Sequence, residues 1–529
     1  MAKVLISDSL SEDGLAVLKN AAGIEFEYKP GISEDELAVA IKGFDGLVIR
    51  SGSKVTAKVL EAADRLKVVG RAGIGVDNVD VKAASRRGII VMNTPTGNAV
   101  TTAEHALALL FSLARKIPFA SAAMKAGKWE KKNANGRELS GKQLGIVGLG
   151  NIGRLVAERA QGLHMKVIGF DPVMSKERAR ELGIELVSLD ELFTRADAIT
   201  VHTPLTPETK GLVNDAAVAK MKKGVLLINA ARGGIFEDEA LLRGLESGKI
   251  GGVAVDVFVE EPPGITDLIK HPLVVATPHL GASTEEAQER VAVEIAQQVV
   301  AYLQTGEIAN SVNVPAVPAE MAGILGPYLT LGQRLGAFLG QVENLSPRVI
   351  EIAFAGEAAG LKVAPIVNAA LAGLLARFFD NEVNPVNAPL VAVDRGVEVR
   401  EEKTTGKSRF STLVTIRAIG AKGETAVVSG TLAADGSARL VQWNNYTMDA
   451  HLEGSVLVIR NEDRPGVIGA VGSVLGAAGV NVSRMQVGLS DDGRDAAALW
   501  ALDSAVTPEV LEKLRATQAV KHVFAVQVG

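Results

Sequence analysis

The sequence predicts an α/β protein, with two doubly wound parallel sheets over residues 1–312 and two smaller α+β units behind them. Three observations predict it. Short aliphatic runs alternate with helix-spaced segments through that first part, the rhythm of βα units with right-handed crossovers. A glycine-rich turn, Gly148-Leu149-Gly150-Asn151-Ile152-Gly153, stands between one such run and a helix. Residues 454–529 then change rhythm to β-α-β-β-α-β.

Composition bounds the rest. At roughly 100–200 residues per domain, the 529-residue chain holds about three or four. Hydrophobic residues make up 47% and aromatics only 4%, so Ala, Val, Leu and Ile must fill the cores, as in parallel sheets. The net charge is −5 with both signs interspersed, and no basic stripe offers nucleic acid a surface. There is no cysteine, which excludes disulfides, thiolate catalysis and thiolate-bound metals and fits a reducing compartment. The N-terminal MAKVLISDSL reads as a strand and turn, not a signal peptide, and no apolar run reaches the roughly 20 residues of a membrane span. The expectation is a cytoplasmic protein without membrane or nucleic-acid partners.

In chain order, Val4–Ser7, Gly46–Arg50 and Lys67–Arg71 read as buried strands, with a helix over Ser33–Lys42. A long helix is expected from Thr101, which with Glu104 fits a capping box. Strands follow at Gln143–Gly148, Lys166–Asp171, Ala198–His202, Val225–Asn229, Gly252–Asp256 and Val274–Thr277, and a helix over Thr284–Leu303 returns the chain to its first part. The expected organisation is a discontinuous flavodoxin-like domain (1–97 and 291–312) with a Rossmann nucleotide domain (98–290) inserted in it. Ala309–Pro318 reads as a linker, 313–453 as an intervening α+β domain without a chemical motif, and 454–529 as a ferredoxin-like domain.

The glycine turn gives the first functional reading. Gly148 permits a tight turn, Gly150 lets the backbone approach a diphosphate, and Gly153 lets helix and strand pack closely. The diphosphate would rest on free N–H groups at a helix N-terminus. Asp171 ends the next strand, placed to accept both ribose hydroxyls, and Pro172 and Val173 follow it instead of an Arg for a 2′-phosphate, which favours NAD over NADP.

Three further residues follow late strands of the same domain: Arg232 in Asn229-Ala-Ala-Arg-Gly-Gly, Glu261 in Asp256-Val-Phe-Val-Glu-Glu-Pro-Pro, and His279 in Pro278-His-Leu-Gly-Ala. Ligands in such sheets bind beyond the carboxyl ends of the strands. Removing a hydride from a 2-hydroxy acid requires a base for the hydroxyl proton, which suits His279. Glu261 would hold the other ring nitrogen, and Arg232 would bind the carboxylate and polarise the C2 oxygen. Taken singly, each has a blander reading as a surface or structural group. His202 reads as structural beside Thr203, and His105 as a packed residue. His164, His271 and His522 lack a partner motif, and with no metal-ligand spacing no metal is expected.

The segments GLGNIG, HTPLTPET, NAARGG, DVFVEEPP and PHLGAST, with VGRAGIGVDNVD and NTPTGNAVTTAEH before them, resemble the signature blocks of the D-2-hydroxyacid dehydrogenase family over about the first 310 residues. The resemblance implies catalytic roles for Arg232, Glu261 and His279. It implies NAD contacts at Asn151, Ile152, Asp171, Thr203, Ala230 and Asp256, the last on the nicotinamide carboxamide. Ile74, Gly75 and the backbone of Gly281 and Ala282 would lie nearby.

The order of parts is similar to long-form members that act on D-3-phosphoglycerate and end in an ACT domain. That implies a phosphate-binding loop at Arg50, Ser51 and Gly52; the plainer alternative for Arg50 is an exposed strand-end charge. Trp129, Lys131, Lys132 and Arg137 form a second basic cluster, read either as reaching a partner's substrate or as a solvated face. In the ACT-like part, serine-binding relatives imply L-serine contacts at Asp463 and Asn481. Pro465 reads as a helix start. Asn461, grouped with that edge, departs from an aromatic residue of some relatives. Arg439 and His451 are weak candidates for a second anion site. The likeness suggests a homotetramer. The rival readings are a hydroxypyruvate/glyoxylate or 2-hydroxyglutarate dehydrogenase, and a non-enzymatic NAD-sensing regulator.

Overall fold

The computed structural model describes residues 1–315, 319–343, 345–378, 383–404 and 409–528. Its first sheet has five parallel strands, β1 (Ala2–Ile6), β2 (Ile24–Tyr28), β3 (Gly46–Ile49), β4 (Val68–Arg71) and β5 (Ile90–Met92), in the order β2-β1-β3-β4-β5. Alternate side chains enter different cores: Val4 and Ile6 pack on one face, Leu5 on the other. That is why these runs are aliphatic throughout. The order reverses between β1 and β3, so the loops after them, which carry Asp8 and Arg50, flank the switch point. The helix over Glu34–Ala40 starts with a complete capping box of Ser33 and Glu36.

The second sheet has seven strands, β6 (Gln143–Val147), β7 (Lys166–Phe170), β8 (Glu185–Leu186), β9 (Ala198–Val201), β10 (Val225–Asn229), β11 (Ile250–Val255) and β12 (Val274–Ala276). Its order is β12-β11-β10-β9-β6-β7-β8, with the reversal between β9 and β6, beside the glycine turn. Helix α1 (Ala99–Arg115) leads into it, α2 (Ile117–Lys125) follows, and α3 (Asn151–Gly162) springs from the turn. The capping box expected at Thr101 does not form. The helix begins earlier, behind Asn98 and without a side-chain cap, and Thr101 Oγ1 instead lies 3.3 Å from Thr284 Oγ1. A cap pattern inside a helix already nucleated upstream has no free N–H groups to serve.

Helix α4 (Glu285–Thr305), capped by Thr284, sets Val291, Ala292, Ile295, Ala296 and Val299 into the core of the first sheet. The segment read as a linker is pinned where it is described. Asn93 N donates to Asn310 O (3.2 Å), Val312 N to Val91 O (2.9 Å), and Asn313 Oδ1 accepts from Val91 N (2.9 Å). It thus covers the free edge of β5, an edge that would otherwise leave unpaired backbone; its residues 316–318 lie outside the described residues.

The remaining strands form one ten-stranded sheet: β13 (Pro347–Gly356), β14 (Glu398–Thr404), β15 (Thr412–Gly420), β16 (Thr425–Leu432), β17 (Ala438–Trp443), β18 (Tyr446–His451), β19 (Gly454–Glu462), β20 (Val482–Ser490), β21 (Asp495–Leu502) and β22 (Val520–Val528). With it pack α5 (Ala319–Val342), α6 (Ala364–Leu375), α7 (Val467–Ala477) and α8 (Pro508–Arg515). The order β20-β21-β19-β22 is the ferredoxin-like one. The two units that the sequence separates share this sheet, joined where Tyr446 and Thr447 of β18 pair with Ser490 and Leu489 of β20. They also share a core, to which α5 gives Phe338 and Leu339 and β19 gives Val456 and Val458. No single helix among the described residues is long and apolar enough to cross a membrane.

Candidate active site

Arg232, Glu261 and His279 follow β10, β11 and β12 at one edge of the second sheet. Asn229, the last residue of β10, shapes the first loop: its Nδ2 donates to Arg232 O (2.9 Å) and its Oδ1 accepts from Ala231 N (3.0 Å). Gly233 lies so close to Phe258 that a Cβ there would stand 2.0 Å from its carbonyl carbon. Phe258 N in turn donates to Glu261 Oε1 (3.0 Å), and Glu261 Oε2 lies 2.7 Å from His279 Nδ1. The three loops are therefore tied in series. A carboxylate only accepts, so Nδ1 carries the proton and the Nε2 lone pair stays free. His279 is half exposed, in a left-handed conformation with φ 53°.

Arg232 reaches across to the first sheet. Its Nε donates to Asp77 Oδ2 (2.7 Å), and a Cβ on Gly75 would lie 1.8 Å from its guanidinium. Any side chain at Gly75 would displace it. Arg50, after β3, donates to Ser9 O (3.2 Å), while its own N–H donates to Asp8 Oδ2 (2.6 Å). Ser51 and Gly52 are exposed beside it, and Ile74 O accepts from Asn93 Nδ2 (2.5 Å). Arg71 is the residue that sequence reasoning misses. It ends β4, its Nε is buried without a partner, and burial followed by the charge of Arg232 pushes its pKa down to about 10. Its charge interacts with Arg232, Asp77, Arg50 and Asp8, so three arginines, two at strand ends of the first sheet and one following β10 of the second, stand within electrostatic reach of one another.

The glycine turn fits a dinucleotide. Gly148 has φ +91°, and a Cβ on Gly153 would lie 2.0 Å from Gly148 O, so neither position accepts a side chain. Gly150 faces open space and precedes α3 with no side-chain cap, which leaves the first N–H groups of Asn151, Ile152 and Gly153 for an anion. Thr203 Oγ1 is buried beside Gly148 without a partner. Burial would raise the pKa of Asp171, but N–H groups of Leu149, Val173 and Met174 outweigh it and hold the carboxyl below its ordinary range. Ala230 is buried at the end of β10.

Asp256, which the sequence reading gives to the nicotinamide carboxamide, lies just after β11 among the loops that carry the site. Its side chain is fully enclosed and accepts from Thr277 Oγ1 (2.6 Å), Leu280 N (2.8 Å) and Gly281 N (2.9 Å), with His105 Nε2 at 3.1 Å. Its carboxylate binds the turn that follows His279. His105 is thus no merely packed residue.

Arg137 departs from its expected cluster. It bonds Gly224 O at the opposite edge of the sheet, while Lys131 and Lys132 are exposed and Trp129 is 78% exposed. His202 contacts Thr200 Oγ1 through Nε2 (3.0 Å) and has a buried, unpartnered Nδ1. His271 caps Leu273 N, and His522 stacks on Phe524. Arg439 Nη1 lies 3.4 Å from Asp449, and burial followed by the charges of Arg439 and Arg484 lowers the pKa of His451. At the C-terminal unit, Asp463 and Asn481 are exposed near the ends of β19 and α7. Asn461, close by at the end of β19, is buried, and its Nδ2 donates to Glu462 O (2.7 Å). Pro465 lies outside the helix, which starts behind Gly466 in a left-handed conformation with φ +93°.

A dinucleotide turn, with a His–Glu pair and an arginine on loops at the same end of one sheet, defines an NAD-linked oxidoreductase of 2-hydroxy acids. The family model for the D-isomer specific 2-hydroxyacid dehydrogenase NAD binding domain matches residues 107–281. Those for the D-3-phosphoglycerate dehydrogenase intervening domain and the ACT domain match 324–444 and 455–518. The chain is 40% identical to a D-3-phosphoglycerate dehydrogenase of Synechocystis sp., covering 100% of this chain and 95% of that one. It is also 40% identical to one of Methanocaldococcus jannaschii, covering 100% of both. A crystal structure of D-lactate dehydrogenase from Aquifex aeolicus, complexed with NAD and lactic acid, is similar with a TM-score of 0.52 and 28% identity, over 59% of this chain and 100% of that one. The chain belongs to the D-2-hydroxyacid dehydrogenase family, and within it to the D-3-phosphoglycerate dehydrogenases.

Proposed function

We propose that the chain oxidises D-3-phosphoglycerate to 3-phosphohydroxypyruvate, the first step of L-serine synthesis, with L-serine acting back on its C-terminal unit. NAD held at the glycine turn would supply the acceptor for the hydride that leaves C2. His279 Nε2 takes the C2 hydroxyl proton, while Glu261 holds the Nδ1 proton and offsets the imidazolium charge. Arg232 exchanges Asp77 for the substrate carboxylate and polarises the C2 oxygen. Arg50 and Arg71 take the phosphate, with Ser51, Gly52, Ile74 and Gly75 lining its approach.

The observation that carries the reading is the unpaired, largely buried Arg71 beside Arg50 and Arg232, a cleft built for a ligand with more than one negative charge. Asp463 and Asn481 would meet the ammonium and carboxylate of serine. The partner is a second copy of the chain, the tetramer being the expected assembly. Phe111, Ile117, Phe119, Met124 and Trp129, all at least 40% exposed on and after α1 and α2, offer an apolar surface for it.

The test is NADH oxidation with 3-phosphohydroxypyruvate, hydroxypyruvate and glyoxylate, with and without L-serine. Fast turnover of the phosphorylated acid that serine suppresses supports both halves. Preference for an unphosphorylated acid sinks the substrate assignment, and no response to serine sinks the regulatory one.

A further inference from the structure

We propose that His105 is a positioning residue for the hydride-transfer site: from helix α1 it donates its Nε2 proton to the enclosed Asp256 carboxylate and to Thr277, and so holds the left-handed turn that presents His279. This rests on the role proposed for His279.

Asp256 grips that turn from both sides. Its carbonyl accepts from His279 N (2.9 Å), and its carboxylate accepts from the next two amides, Leu280 N and Gly281 N. A left-handed non-glycine residue persists only where its surroundings over-determine it. Asp256 itself must be fixed for this to work.

The direction of the His105 bond follows from counting protons. Thr277 spends its single hydroxyl proton on Asp256 Oδ1 at 2.6 Å, so toward His105 Nε2 at 3.3 Å its oxygen can only accept. Nε2 therefore carries a proton, shared between Thr277 Oγ1 and Asp256 Oδ1 at 3.1 Å. The same helix grips the turn twice more. Thr102 Oγ1 donates to Gly281 O (2.8 Å), and Thr101 Oγ1 meets Thr284 Oγ1. Residues 101, 102 and 105 share one helix face. Helix α1 begins seven residues after β5 ends, so the turn bearing His279 is referenced to the helix where the chain passes from one sheet to the other.

The test compares His105→Phe, which keeps ring volume and removes the donor, with His105→Gln, whose amide restores an N–H at similar reach. Thr102→Val is the second probe should either variant fold poorly. The readouts are kcat and KM with 3-phosphohydroxypyruvate, NADH affinity by fluorescence, and amide exchange of the peptide over residues 277–284. The Phe variant is expected to lose about 10–100-fold in kcat. Its KM and NADH affinity should stay within about twofold, exchange over 277–284 should speed up, and Gln should recover most of the rate. A Phe variant with wild-type kcat and exchange overturns the proposal. So do equal losses in Phe and Gln with exchange unchanged. If His279→Asn retains the rate, the reading of His279 fails instead, and the exchange comparison still decides whether His105 holds the turn.

Discussion

Replacing Glu261 by Gln puts the His–Glu pair under the strictest test. The carboxylate serves two donors at once, Phe258 N through Oε1 at 3.0 Å and His279 Nδ1–H through Oε2 at 2.7 Å. An amide of the same shape has one accepting atom and must choose. If its oxygen turns to His279, the tautomer survives and a charge-assisted bond becomes a neutral one. Charged bonds contribute about 1.5–3 kcal/mol and neutral ones about 0.5–1.5, so the loss is about 1–1.5 kcal/mol, or roughly tenfold in rate. If the oxygen turns to Phe258 N, the amide N–H₂ faces Nδ1 and drives the ring proton to Nε2, where the substrate proton must go. A wrong tautomer in a comparable relay costs about 10⁴. The expected fall in kcat/KM for D-3-phosphoglycerate oxidation therefore lies between about tenfold and 10⁴-fold, with NADH affinity unchanged. The assay is initial-rate kinetics in both directions with a fluorescence titration of NADH. A Glu261→Gln enzyme within twofold of wild type in both directions would refute the assignment of base and orienting partner.

Three further perturbations read other parts of the molecule. Arg71→Gln should raise KM for 3-phosphohydroxypyruvate by about 30-fold, the worth of roughly 2 kcal/mol of charged contact, and leave hydroxypyruvate kinetics within about twofold. Equal effects on both substrates would remove Arg71 from the phosphate. Asn313→Ala deletes bonds to Val91 N, Ile89 O and Ser85 Oγ and should cost about 1–3 kcal/mol in urea unfolding, a loss absent if the β5 edge does not need its cover. Burial pushes the pKa of His202 down to about 4. The unfolded chain takes up that proton near pH 6.5 and the folded chain only near 4, so stability is full above 6.5 and falls as pH drops between them. Because His202 keeps some exposed surface, the loss is on the order of 1–3 kcal/mol, and His202→Gln should abolish that slope in unfolding curves taken at pH 7.5 and pH 5.

What the sequence showed and what it hid divide along physical lines. The parallel strands were legible because both faces of each are covered, which writes them as aliphatic runs such as Val4–Ile6 and Leu226–Ile228. Arg232, Glu261 and His279 were legible because each follows such a run. Asp8, Arg71 and Asp77 were not, since their meaning lies in contacts across distant chain: Asp77 meets Arg232 at a separation of 155 residues. An arginine closing β4 looks like any strand-end charge until burial removes its solvent. The capping pattern at Thr101 misled because local pattern cannot show that a helix has already begun. The joining of the last two units was hidden for a related reason, because the pairing of Tyr446 with Ser490 leaves no local signature.

The charges of the cleft also decide between substrates. The charge of Arg71 meets those of Arg50 and Arg232, with Asp8 and Asp77 opposing them. Asp8 is already committed to the backbone N–H groups of Arg50 and Ser53, and Asp77 holds Arg232 by Nε alone. Placing like charges together while burying one of them is unfavourable, and the depressed pKa of Arg71 shows that cost. A carboxylate alone, as in an unphosphorylated hydroxy acid, would satisfy Arg232 and leave Arg71 buried and unpaired. A phosphate adds about −1.5 to −2 charge and three acceptor oxygens, enough to engage Arg50 and Arg71 while the carboxylate takes Arg232. Because the cost is borne by the free protein, it is released only when both anionic ends bind, so the phosphate should favour catalysis through a lower KM instead of a faster hydride step.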